Sequence, residues 1–139
     1  MASNGKNYSV SDMGSFASLG DKEIDGGKGR AMLGAALGLT GCEVSLNSTP
    51  AGKFAPFVHS HKQNEEVYII VKGKGTFHVD GEEFPIQEGS AIRVAPDGKR
   101  AIKAGDETLV YICIQAKKDS LTQATMEDGI INEEKASWM

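Results

Sequence analysis

The sequence predicts an all-β fold. Three observations carry this. Short β-branched and aromatic runs recur from Cys42 to Ala116, turn residues separate them at close spacing, and the gaps leave little room for helices. Seventeen glycines, single or paired along the whole chain, supply the turns that many short strands need.

Each element follows from its own residues. Residues 1–28 carry little apolar periodicity, and Asp25-Gly26-Gly27-Lys28-Gly29 reads as a flexible turn. The stretch 31–39 is ambiguous: Ala, Met and Leu suit a helix, while Gly34 and Gly38 weaken one, and a closely approached strand is the alternative. Cys42 to Leu46 alternates as a strand and breaks at Asn47-Ser48-Thr49-Pro50-Ala51-Gly52. Glu66 to Val71 is a strong strand, ended by Gly73-Lys74-Gly75. Thr76 to Val79 runs into Asp80-Gly81, a pair that favours a type I′ hairpin. Phe84 and Ile86 alternate with polar neighbours, and Glu88-Gly89 turns. Ala91 to Val94 forms the next strand, closed by Pro96-Asp97-Gly98. Ile102 and Ala104 alternate with charges, and Leu109 to Ile114 is the most apolar strand. The tail from Lys117 is polar, with a short helix expected within 121–136.

At 139 residues the chain is one domain long, enough to bury a core without disulfide or metal staples. The expected organisation is an N-terminal extension over 1–30, a barrel over 31–116 and a tail over 117–139. A net charge of −4 gives no reason to expect nucleic acid or an anionic membrane as partner. Residues 1–20 lack the pattern of a secretory signal, and the apolar stretch 31–39 is about half a membrane span. Cys42 and Cys113 both fall in apolar strand-like runs and read as buried thiols of a reducing compartment, so a cytoplasmic protein is expected.

The segment that carries chemistry is His59-Ser60-His61-Lys62-Gln63-Asn64-Glu65-Glu66. Residues two apart on a strand share a face, so His59 and His61 aim two imidazoles at one point, with Ser60 turned away. Lys62 to Glu65 can turn, and Glu66 opens the next strand, where its carboxylate returns beside them. Two imidazoles and a carboxylate suit Zn, Fe, Mn, Ni or Cu better than Mg or Ca. The competing reading is of two polar residues at a strand end. Against it, two of only three histidines in the chain fall in one H-x-H followed by a carboxylate. Elsewhere, Gly26-Gly27-Lys28-Gly29 lacks the full phosphate-loop spacing, and no Ser, His and Asp arrangement announces a nucleophile.

The run from Gly52 to Gly73 resembles the first motif of the cupin family, G-x5-H-x-H-x3,4-E-x6-G. It is carried here by Gly52, His59, His61, Glu66 and Gly73, with six residues instead of five after Gly52. Glu66, not Glu65, keeps the spacing to the closing glycine, so the resemblance gives it the ligand role. With the following strands the resemblance covers about residues 40–116. It implies a double-stranded β-helix, the jelly-roll barrel, around one divalent transition metal held by His59, His61 and Glu66. It also implies a homodimer. The second cupin motif, G-x5-P-x-G-x2-H-x3-N, is matched loosely by Gly89, Pro96 and Gly98 and lacks its histidine. Arg100 takes that place when Ile102 is aligned inward, and Ala101 takes it by strict count.

Arginine cannot ligate a metal, so an inward Arg100 would offer its fork of donors to a carboxylate or phosphate of a bound molecule. The alternative is a solvated side chain between Lys99 and Lys103. If Glu66 faces the cavity so does Tyr68, either as a hydroxyl for a ligand or the metal shell, or as a core residue. His78, between Phe77 and Val79, faces either cavity or water and is the third candidate for substrate contact. No catalytic residue is assigned. Three functions compete: a metal-dependent oxygenase, isomerase or lyase acting on a small organic molecule; a non-catalytic small-ligand binder; and a barrel serving assembly with a vestigial site. Fold alone does not choose among them.

Overall fold

The computed structural model describes residues 2–24, 27–123 and 125–139. Strand after strand is found, as the sequence predicts. In chain order they are β1 (Ala2–Asn4), β2 (Ser9–Ser11), β3 (Glu23–Ile24), β4 (Arg30–Met32), β5 (Glu43–Thr49), β6 (Asn64–Lys72), β7 (Lys74–Val79), β8 (Glu82–Gln87), β9 (Ala91–Val94), β10 (Arg100–Ala104) and β11 (Leu109–Lys117). A 3-10 helix spans Phe16–Asp21, and two short helices are α1 (Leu33–Leu37) and α2 (Thr125–Asp128). No helix among the described residues is long and apolar enough to cross a membrane.

The strands form a six-stranded sheet in the order β3-β4-β5-β11-β6-β9 and a three-stranded sheet in the order β10-β7-β8, with β1 and β2 paired apart. All pairings are antiparallel except β3 with β4. This is the jelly-roll architecture. The two-residue alternation sorts the side chains of the large sheet. From β6, Glu66, Tyr68 and Ile70 are buried inward, where Tyr68 and Ile70 join Phe77, Ile86, Val94, Leu109, Tyr111 and Cys113 in the main core. On the outer face a second cluster forms, with Leu19 of the 3-10 helix packed on Ala31 and Val110.

Turn chemistry matches the sequence where it decides the register. Asp80 and Gly81 both have positive φ, 50° and 85°, as a type I′ hairpin between β7 and β8 demands. Gly73 turns from β6 into β7 at φ 92°, and a Cβ there would collide with the Thr108 carbonyl.

Three expectations change. The stretch 31–39 is neither one helix nor one strand: Met32 ends β4 and five residues coil into α1, stopped by left-handed Gly38. β5 does not break at Asn47 but runs to Thr49, because Asn47 pairs across to both Arg30 and Tyr111. Cys113 is buried as expected, whereas Cys42 precedes β5 and is exposed; both thiols are free. The tail helix is only four residues long. Of the expected turn at 25–29, residues 25 and 26 lie outside the described residues.

Candidate metal centre

The two sheets meet at the segment between β5 and β6. His59 bridges to Arg100 at the edge of β10, each donating its backbone N–H to the other's carbonyl, at 3.0 and 2.9 Å. Two residues on, the His61 N–H donates to the Pro96 carbonyl at 2.9 Å. Both imidazoles are thereby hung from the small-sheet side, with ring centroids 5.2 Å apart. Glu66 reaches them from the large sheet, its Oε2 3.4 Å from His61 Nε2 and its Oε1 3.8 Å from His59 Nε2. One ligand atom from each of the three residues lies within 4.8 Å of the others.

The electrostatics suit a cation. His59 has its pKa lowered, first by burial and then by the charges of Arg100, His61 and Arg30, against the pull of Glu66. Its imidazole is therefore neutral near pH 7, with a lone pair to give. Burial pushes Glu66 up, but hydrogen bonds from Tyr68 and Cys113 and the charges of His61 and Arg100 outweigh it and hold the carboxyl below its ordinary range. His61 Nε2 is buried without a hydrogen-bond partner among the described residues. A buried polar atom left bare is costly. A metal coordinated by His59, His61 and Glu66 would satisfy it, so the donor set fits a divalent transition ion.

Around Glu66 lies a shell that the motif alone does not disclose. Tyr68 Oη donates to Oε1 at 2.8 Å and Cys113 Sγ to Oε2 at 3.3 Å. Burial pushes both groups' pKa values up, so each remains a neutral donor. Arg100 Nη1 donates to Glu66 Oε1 at 2.5 Å. Its Nε donates to the Gly98 carbonyl at 2.9 Å and Nη2 to Ala95 and Pro96 carbonyls at 2.7 and 3.5 Å.

Arg100 thus takes the interior place, fully buried, and Ala101 does not supply a donor. It is absent from the cavity lining, because its guanidinium is engaged by Glu66 and the turn before β10. Tyr68 does line the cavity, beside the three ligands. His78 is placed elsewhere: it alternates with buried Phe77, lies on the outer face of β7 and meets Glu83 at 3.3 Å. It lines a groove with Phe54 and Phe57 rather than the metal cavity.

The cavity encloses about 360 Å³, at the lower end of the roughly 300–1,000 Å³ of small-molecule sites. Among the lining residues that carry no mark in the sequence are Ser45 and Asn47 from β5, Gln115 from β11 and Arg30 from β4. The β5 pair had a signal, since Ser45 and Asn47 alternate with Val44 and Leu46. Arg30 had none, standing after a glycine-rich run in a three-residue strand.

Comparison with known proteins agrees with this geometry. A family model described as the cupin domain matches residues 48–115. A cupin protein from Bacteroides fragilis is 48% identical, with a TM-score of 0.73 over 80% of this chain and 95% of that one. A candidate sugar phosphate isomerase from Acidithiobacillus ferrooxidans is 29% identical, with a TM-score of 0.58 over 65% of this chain and 59% of that one. An uncharacterized protein from Methanocaldococcus jannaschii is 32% identical over 57 residues, which span 40% of this chain and 46% of that protein. With nearly the whole length of the Bacteroides protein covered at such identity, and the barrel and ligand triad in place, the chain belongs to the cupin family.

Proposed function

We propose that the protein is a metal-dependent enzyme acting on a small polar organic molecule, of the oxygenase, isomerase or lyase type. The observation that carries this reading is the buried, unpartnered Nε2 of His61, facing Glu66 and His59. A bound divalent ion supplies Lewis acidity and open coordination positions for substrate or water. The chain supplies the rest. Tyr68 and Arg100 hold Glu66 Oε1, leaving Oε2 toward His61. Arg100, standing where the second motif has its histidine, cannot ligate and turns to Glu66, so a site built on three protein ligands stays open to substrate.

The isomerase branch has one further support, the likeness to the Acidithiobacillus protein. The homodimer belongs to this reading as well, supported by the exposed apolar side chains of Leu121, Met126, Ile130, Ile131 and Trp138 in the tail. The second reading, a non-catalytic binder, is favoured by the same Arg100–Glu66 pair, which neutralises the carboxylate without a metal.

Elemental analysis of protein purified without chelator or tag metal tests the reading. Near-stoichiometric iron, manganese, nickel, copper or zinc is expected, and its identity selects the reactions to assay. A chain that takes up none of these ions on incubation belongs to the second reading.

A further inference from the structure

Arg30 brings a positive charge to the cavity wall, apart from the His59, His61 and Glu66 cluster. Among the described residues that line it, and apart from the two histidines, Arg30 and Glu66 carry a charge at neutral pH, since burial keeps Tyr68, Tyr111 and Cys113 protonated. Glu66 is already neutralised by Arg100 from behind. Among the side chains described, no carboxylate forms an ion pair with Arg30.

Arg30 is also held in position. It faces Asn47 across β4 and β5, and its Nε donates to Asn47 Oδ1 at 3.0 Å. Asn47, buried at 4% exposure, in turn donates Nδ2 to Ser45 Oγ at 2.9 Å. This relay fixes the guanidinium plane through Nε, the Tyr111 hydroxyl lies beside the same guanidinium, and the terminal amino groups are the half of the fork that grips an oxyanion in bidentate fashion. Arg30 is exposed on the cavity rim, so the anion need not enter a dry site. The rows of the sheet place it apart from the triad: Arg30 aligns with Asn47 and Tyr111, whereas Glu66 aligns with Gln115, four residues further along β11.

We infer that Arg30, oriented by Asn47 and Ser45, is the anchor for an oxyanion group of the cavity's ligand, a carboxylate or phosphate on a small organic molecule whose other end faces His59, His61 and Glu66. The inference deepens the enzymatic reading by naming the substrate class, and it applies equally to a binder. It moves the anionic contact expected of Arg100 to a residue whose donors are turned toward the cavity.

The test uses malonate and inorganic phosphate as probes and uncharged malonamide as control, titrated calorimetrically into the protein as purified and again after metal removal. At least one anion is expected to bind both forms and malonamide neither. Arg30→Ala should weaken that binding at least tenfold, with Arg30→Lys retaining part of it, while metal content stays at the wild-type level. The anion that binds more tightly identifies the group as carboxylate or phosphate. Neither anion binding the wild type, or Arg30→Ala binding within twofold of it, overturns the anchor. Because the metal-free arm is read independently, absence of metal would sink the metal-centre reading and leave this result standing.

Discussion

Glu66 and Arg100 meet in the barrel interior with Nη1 2.5 Å from Oε1, their side chains 4% and 1% exposed. One is the carboxylate of the first cupin motif; the other stands where the second motif has its histidine. A protein cation has taken up one side of a carboxylate whose other side faces the metal ligands.

That relationship predicts an asymmetric pair of mutants. Arg100→Met leaves a buried carboxylate uncompensated and should cost about 3–5 kcal/mol of stability, the usual penalty for breaking a buried pair. The double variant Glu66→Leu with Arg100→Met should cost less than Arg100→Met alone, since no charge is then stranded. Urea unfolding of both variants measures this. Equal losses in the single and double variants would show that packing, not charge, governs the site.

The ligand triad makes a separable prediction. His59→Ala, His61→Ala and Glu66→Ala should each abolish stoichiometric metal, whereas His78→Ala should leave it unchanged, because His78 lies on the outer face against Glu83. Metal retained in full by any of the first three removes that residue from the ligand set.

Tyr68→Phe removes the hydroxyl 2.8 Å from Glu66 Oε1 without opening a cavity. A hydrogen bond to a charged group is worth roughly 1.5–3 kcal/mol, and a loss in that range is expected in chemical denaturation. A Glu66 carboxyl titration by NMR should move upward in the same variant. An unmoved titration would mean that Cys113, His61 and Arg100 hold the carboxylate without the hydroxyl.

Stability of the metal-free protein should rise with pH from the acid side. The His59 pKa is lowered from 6.5 on folding, so the unfolded chain binds its proton first and stability falls as pH drops through 6.5. The Glu66 pKa is lowered from 4.5, so its contribution is complete above 4.5 and is lost as pH falls through the lower folded value. Thermal melts of the wild type should show both losses, and His59→Asn should remove the upper one. A wild-type stability flat between pH 7 and 5 would contradict the shift in His59.

The barrel and the gathering of His59, His61 and Glu66 were legible because they rest on local rules. Asp80-Gly81 specifies its own turn, β6 declares itself by β-branched residues, and H-x-H places two rings on one face by strand geometry alone. What was hidden depends on partners distant in sequence. Cys113 is 47 residues from the Glu66 oxygen it touches, and nothing in its own neighbourhood says so. Arg100 and His78 illustrate the same limit in opposite ways. An inward Arg100 was one of the alternatives the sequence left open, and its partner could not be read, since Glu66 lies 34 residues away. The alternation around His78 showed that it opposes Phe77, yet only the pairing of β7 with β8 and β10 decides that this side is the outer one. Asn47 was read as a break because polar residues usually mark loops; here the strand lines a polar cavity.

The backbone exchange between His59 and Arg100 has a mechanical consequence. The strand edge that carries the His59 imidazole is stitched to the residue that neutralises Glu66. The mouth of the barrel cannot peel open along this seam while leaving the interior undisturbed. An opening wide enough to free His59 withdraws the guanidinium as well, so the two amides belong to one unit of opening and closing. Arg30 and Phe57, both exposed, line the same cavity, and the seam serves as its rigid jamb.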